Sequence, residues 1–179
     1  AETILAQGVA NLIILGNVAA IKESGRALEG ATLIDPQDSD LHNEFANTLY
    51  ELRKHKGMTL EQAAEKVRDV LFFGVLMVKT GRADGMVSGA CHSTGDVLRP
   101  SLQILKTAPG VKLVSSFFIM VVPNCEYGQN GTFLFSDCGL EIQPTAEKLA
   151  HIAVNSAQSW KTLIGTEPVV AMLSHSTYG

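Results

Sequence analysis

Residues 70–78, VLFFGVLMV, hold eight apolar side chains and one glycine. A helix that is apolar on every side must be buried on every side, so the run demands other elements packed around it. Its length favours a helix over a strand. At about 1.5 Å per residue it is also far too short to cross a hydrocarbon layer of about 30 Å, and no other stretch is longer and equally apolar.

The neighbouring segments alternate strand and helix. The opening residues resemble the end of a helix closed by Gly8, so the chain is expected to begin inside an element. Residues 12–15 predict a buried strand followed by the Gly16-Asn17 turn. Residues 18–28 predict a helix stopped at Gly30, and residues 31–34 a strand ending at Asp35-Pro36. Leu41, Phe45, Leu49 and Leu52 fall on one helical face, while Lys54, His55 and Lys56 crowd the last turn before Gly57. Thr59 and Gln62 are spaced for a capping box, which turns Ala63, Ala64 and Val67 inward.

Residues 85–87 predict a short strand, followed by small polar residues and a helix. Asp96 is the expected N-cap of that helix, which keeps Pro100 in the tolerated first turn. The Ala108-Pro109-Gly110 break divides a first α/β domain, residues 1–110, from the start of a second, residues 111–179. In the second, residues 112–122 and 131–135 predict antiparallel strands around Asn130-Gly131. Residues 145–163 predict a helix with Leu149, Ile152, Ala153, Ser156, Trp160 and Leu163 on one face. Residues 169–173 predict a further strand, running into a loop with Ser174, Ser176 and Thr177, where α/β sheets put binding residues. More sequence is expected after Gly179. The fold class is α/β, a mainly parallel sheet and then a second part containing a hairpin.

Composition narrows the function. With 46% hydrophobic and 18% charged residues, the 179-residue chain has a globular composition. A net charge of −4 argues against general nucleic-acid binding, which needs clustered Lys and Arg. Cys91, Cys125 and Cys138 form no CxxC pair and suit reduced thiols in a cytoplasm better than a disulfide framework. No basic stretch followed by an apolar one marks a signal peptide.

The chemistry-bearing residues cluster after residue 85. Ser88, Gly89, His92, Ser93, Thr94 and Gly95 lie between a strand end and a helix start, where free N–H groups and the helix dipole favour an anion. A capped strand-to-helix turn accounts for the same residues. Arg99, one turn into the helix, is placed to reach back to a phosphate with a bidentate guanidinium. Arg53 either joins that site or simply complements a helix C-terminus. His92 is expected to make contact rather than catalyse. Cys125 has Glu126 beside it, a field that disfavours a thiolate, so a packed thiol is expected. The five histidines and the carboxylates show no metal-ligand spacing, and neither GK[ST] nor a GxGxxG after a strand occurs.

The segment GMVSGACHSTGDVLRPSLQILKT resembles the signature of phosphate acetyltransferases. The resemblance continues through ELRKHKGMTLEQAAE, VPNCEYGQNGTFLFSDCGL and VAMLSHSTYG, in order along the chain. It implies two α/β domains with a cleft between them, in the architecture of isocitrate and isopropylmalate dehydrogenases. The implied reaction is transfer of acetyl between coenzyme A and phosphate, giving acetyl phosphate and CoA. It proceeds by direct attack of phosphate on the thioester in a ternary complex.

Arg99, Arg53 and the loop from Ser88 to Thr94 match the family's substrate-binding positions. Cys125 matches a cysteine near the site that is not required as a nucleophile. CoA is then a substrate, with no tightly bound cofactor, and a cytoplasmic homodimer is implied. The family's Ser-Arg pair and catalytic Asp are expected beyond Gly179, and the family's usual first strand is missing at the front. The 179 residues alone are therefore expected to be inactive. Tyr178 stands where relatives usually carry Lys. A phosphate butyryltransferase, or a ligand-sensing domain without activity like those attached to some malic enzymes, are the alternatives.

Overall fold

The computed structural model describes residues 1–173. It divides into two compact units, Ala1–Lys106 and a second beginning at Thr107.

In the first unit, α1 (Glu2–Gln7) closes on Gly8, whose φ of 62° suits a residue without a Cβ. Strand β1 (Ile13–Leu15) leads to α2 (Val18–Glu23), capped by the Asn17 side chain on the Ala20 amide. Strand β2 (Thr32–Ile34) returns parallel to β1, pairing Ile13 with Thr32 and Leu15 with Ile34. Helix α2 is shorter than the expected residues 18–28. It ends at Ser24, whose hydroxyl donates to the Ile21 carbonyl, and Gly25 follows with φ 68°. A back-bonded serine before a left-handed glycine stops the helix ahead of Gly30.

The core is helical. Helix α3 (His42–Arg53) buries Phe45 and Leu49 completely. A 3₁₀ turn, Lys54–Lys56, ends at Gly57. Helix α4 (Leu60–Lys66) starts with the Thr59–Gln62 capping box and buries Ala63, with Val67 buried just after it. Ala64, expected inside, is exposed, because only one narrow stripe of this short helix faces the core. Helix α5 (Val70–Lys79) buries every residue from Leu71 to Met77, as its all-round apolar sequence requires. Asp69 caps it, accepting from the Leu71 and Phe72 amides. Phe45 and Phe73 meet edge to face with centroids 4.9 Å apart.

Residues 85–87 form no strand. Val87 is fully solvent-exposed, and no strand among the described residues pairs with this segment. Local residue preference supplies no ladder partner, and without one an extended segment is not a strand. Helix α6 (Thr94–Ile104) is capped by Ser93 rather than Asp96. Pro100 is therefore its seventh residue, buried in the helix interior rather than in the first turn.

In the second unit, β3 (Phe117–Val121) and β4 (Thr132–Ser136) pair antiparallel, Phe117 with Ser136 and Val121 with Thr132, as the sequence predicts, although β3 takes up only part of the expected residues 112–122, its length being set by that of its partner β4. The connection is a ten-residue loop, residues 122–131, with Asn130 and Gly131 both at positive φ. Gly131 has no room for a Cβ, which would lie 2.1 Å from the Val122 carbonyl oxygen. Helix α7 (Ala146–Ile164), capped by Thr145, packs on β4. Leu163, expected on its inner face, is exposed, while the adjoining Ile164 is half-buried. A nineteen-residue helix has drifted round its axis by that point, so a spacing counted from its start misplaces its end. Residues 169–173 form no strand: Val169 and Leu173 are exposed, and no described strand lies alongside.

Candidate functional site

Five arginines occur in the chain, all before residue 100. Three are engaged. Arg26 pairs with Glu2, Arg68 donates to the Gln37 carbonyl at 2.7 Å, and Arg82 makes a two-pronged contact with the Glu44 carboxylate at 2.6 and 3.4 Å. Arg53 and Arg99, the two singled out in the sequence, make no hydrogen bond or salt bridge among the described residues. The Arg53 Nε is buried without an acceptor, and a buried guanidinium N–H without an acceptor is costly unless something supplies one. Arg53 ends α3, and Arg99 is exposed on α6, which packs against α3 and α5.

The polar loop precedes α6 directly. Ser88, Gly89, Ala90, Cys91 and His92 are exposed, and Gly89 adopts φ 123°, a backbone region closed to most side chains. The His92 amide donates to the Gly89 carbonyl at 3.4 Å, which folds the loop into a turn. Ser93 then closes a reciprocal box with Asp96. The Asp96 amide donates to the Ser93 hydroxyl oxygen at 3.2 Å, and the Ser93 hydroxyl and amide donate to the Asp96 carboxylate at 2.6 and 3.3 Å.

This box sets the electrostatics of the loop. The Ser93 hydroxyl and then its amide hold the Asp96 carboxyl below the usual carboxylate range, helped by the charges of Arg99 and His92. A carboxylate thus already complements part of the α6 N-terminus. An incoming anion would use the remaining donors: the Thr94 and Gly95 amides in the first turn, the exposed His92 ring and Arg99. The sequence reading made Asp96 the N-cap itself, whereas Ser93 is the cap and Asp96 the third helical residue that reaches back to it. The S-x-x-D spacing from Ser93 to Asp96 is the signal that reveals it.

Cys125 lies half-buried in the loop between β3 and β4, its Sγ 4.0 Å from the Tyr127 carbonyl. Ser174, Ser176, Thr177 and Tyr178 lie outside the described residues. A second polar node in this unit escaped the sequence reading. The Asp137 carboxylate accepts from the Ser116 hydroxyl and amide and from the Gly139 and Leu140 amides. Burial alone would push its pKa up, but these four donors outweigh burial and hold it at about 2. The Asp-x-Gly of Asp137-Cys138-Gly139, an Asx-turn pattern, is its sequence signal. Among the described residues no His, Cys, Asp and Glu side chains gather as a metal site, and no helix is long and apolar enough to cross a membrane.

The fold is mixed α/β, with an exposed polar loop leading into the N-terminus of α6 and Arg99 one turn further on. The phosphate acetyl/butaryl transferase family model matches residues 1–179, and the chain belongs to that family. It is 55% identical to the phosphate acetyltransferase of Acetivibrio thermocellus, over 100% of this chain and 54% of that protein. It is 55% identical to that of Thermoanaerobacterium thermosaccharolyticum, over 100% of this chain and 55% of that protein. A crystal structure of a phosphotransacetylase from Streptococcus pyogenes superposes with a TM-score of 0.84 at 40% identity, covering all of this chain and 54% of that one. The chain spans about half the length of the curated relatives it matches.

Proposed function

We propose that the whole protein containing this chain is a phosphate acetyltransferase, converting acetyl-CoA and inorganic phosphate into acetyl phosphate and CoA. Identity of 55% along the full chain to curated phosphate acetyltransferases carries this reading. It is supported by Arg53 and Arg99, the two arginines the family resemblance selects, which make no hydrogen bond or salt bridge among the described residues.

In this reading Arg99 and the α6 N-terminus hold phosphate through charge-assisted hydrogen bonds, with Ser88, Gly89, His92, Ser93 and Thr94 shaping the loop around it. Arg53 binds a phosphate-bearing substrate. A phosphate oxygen attacks the thioester carbonyl, the oxyanion collapses, the C–S bond breaks, and CoA leaves as thiolate. Positioning of the two substrates and stabilisation of the oxyanion supply most of the rate. The deprotonating Asp and the Ser-Arg pair belong to the part of the whole protein outside these 179 residues.

Residues 1–110 and 111–179 are then parts of two domains of isocitrate/isopropylmalate dehydrogenase-like architecture, in a cytoplasmic homodimer with no tightly bound cofactor. The family also includes butyryl transfer, but the curated relatives named above are acetyltransferases, which favours the shorter acyl chain. Initial rates of the whole protein with acetyl-CoA and with butyryl-CoA test the reading. Faster phosphate-dependent turnover of acetyl-CoA is expected. A preference for butyryl-CoA would replace the substrate, and no turnover of either would leave a ligand-sensing domain.

A further inference from the structure

The loop that carries Ser88 to Thr94 is held to the protein in an unusual way. After Ala83, whose amide donates to the Met77 carbonyl at 3.2 Å, no backbone hydrogen bond ties residues 84–91 to another element among the described residues. From Asp84 to Asp96 every residue is exposed except one, Met86, which is half-buried and packs on the first unit's core. Its thioether occupies the space that a side chain at residue 74 would take. A Cβ built on Gly74 would stand 2.6 Å from the Met86 Sδ and 3.3 Å from the Leu15 Cδ1. Gly74 has an ordinary helical backbone within α5 and costs that helix some stability. What it provides is the recess for Met86.

We infer that Met86, seated in the Gly74 recess, is the positioning residue that fixes where the anion-binding loop leaves the core. The inference rests on the proposed phosphate-binding role of that loop. The loop is then pinned at two points, Met86 at its start and the Ser93–Asp96 box at its end, with Gly89 turning the chain between them. Neither Met86 nor Gly74 touches the anion. They set the geometry of the groups that do, and displacement of such groups by about 1 Å can cost up to about a hundredfold in turnover.

The test uses the whole protein, with phosphate KM and kcat, the Kd for inorganic phosphate by calorimetry, and Tm measured for each variant. Met86→Ala is expected to raise phosphate KM and Kd about tenfold with a smaller change in kcat, and Met86→Leu to restore most of the loss. Gly74→Ala is expected to weaken phosphate binding when Met86 is present and to add little in the Met86→Ala background, because the displaced atom is gone. If Met86→Ala does not fold, Gly74→Ala and Met86→Leu carry the test. Unchanged phosphate KM and Kd alongside a lowered Tm, or strictly additive effects of the two substitutions, would overturn the inference. A wild-type protein that binds phosphate without turning over acetyl-CoA defeats the transfer reading but leaves the anchor to be read from Kd. One that binds no phosphate defeats the anchor as well.

Discussion

The two units differ in how completely they bury their own apolar residues. The first closes a core over Phe45, Leu49, Val67, Phe73, Val75, Leu76 and Ile104, all at most 1% exposed. In the second, Ile152 is the one fully buried apolar side chain among the described residues, while Phe118, Ile119, Met120 and Val121 stand 40% exposed or more. The β3 sequence, FFIMV, is apolar without alternation, the pattern of a strand covered on both faces. One region therefore encloses its own core. The other displays a strand suited to more cover than α7 gives it.

The contrast breaks most readily by truncation of core residues. Phe73→Ala in the first unit should cost about 3–5 kcal/mol, whereas Phe118→Ala in the second should stay within about 1 kcal/mol. Trp160, the sole tryptophan, lies in the second unit, so its fluorescence follows that unit, while far-UV circular dichroism is dominated by the helices of the first. Denaturant curves by both signals should move apart for Phe73→Ala. Equal losses for the two variants would erase the distinction.

Acid sharpens it next. The folded pKa of Asp137 is lowered to about 2 from an ordinary 3.8. Its contribution is therefore complete above the unfolded value and is lost as pH falls from about 4 towards 2. At neutral pH it amounts to at most about 2 kcal/mol. Asp137→Asn should flatten the acid side of the Trp160-reported stability profile over that window. A profile that keeps its slope would show that the four hydrogen bonds do not favour the ionised form.

The smallest effect belongs to the α6 cap. Ser93→Ala should cost about 1 kcal/mol, read by thermal unfolding followed by circular dichroism, against no measurable loss if Asp96 caps the helix unaided.

Legibility in the sequence followed the range of the interactions. The α5 run, the Gly8 and Gly57 stops and the Thr59–Gln62 box are decided within a few residues, and each appears as expected. Residues 85–87 and 169–173 have strand-like composition, but a strand exists only with a partner that local composition does not reveal. Asp96 was the expected cap because it keeps Pro100 in the first turn, and the structure shows that a buried proline in the second turn is tolerated there. At the site, Arg53 and Arg99 were marked by resemblance. That they lack partners among the described residues, while Arg26, Arg68 and Arg82 are engaged, came only from the structure. Met86 was not legible at all, because its significance lies in a recess formed by Gly74, twelve residues earlier in the chain.

The central claim is that Arg99 and the loop before α6 bind the phosphate of the transfer reaction. In the whole protein, kcat/KM for acetyl phosphate and CoA, followed by thioester absorbance, should fall about 10- to 100-fold in Arg99→Ala as a charge-assisted phosphate partner is lost. An unchanged kcat/KM in a folded Arg99→Ala variant would contradict the account.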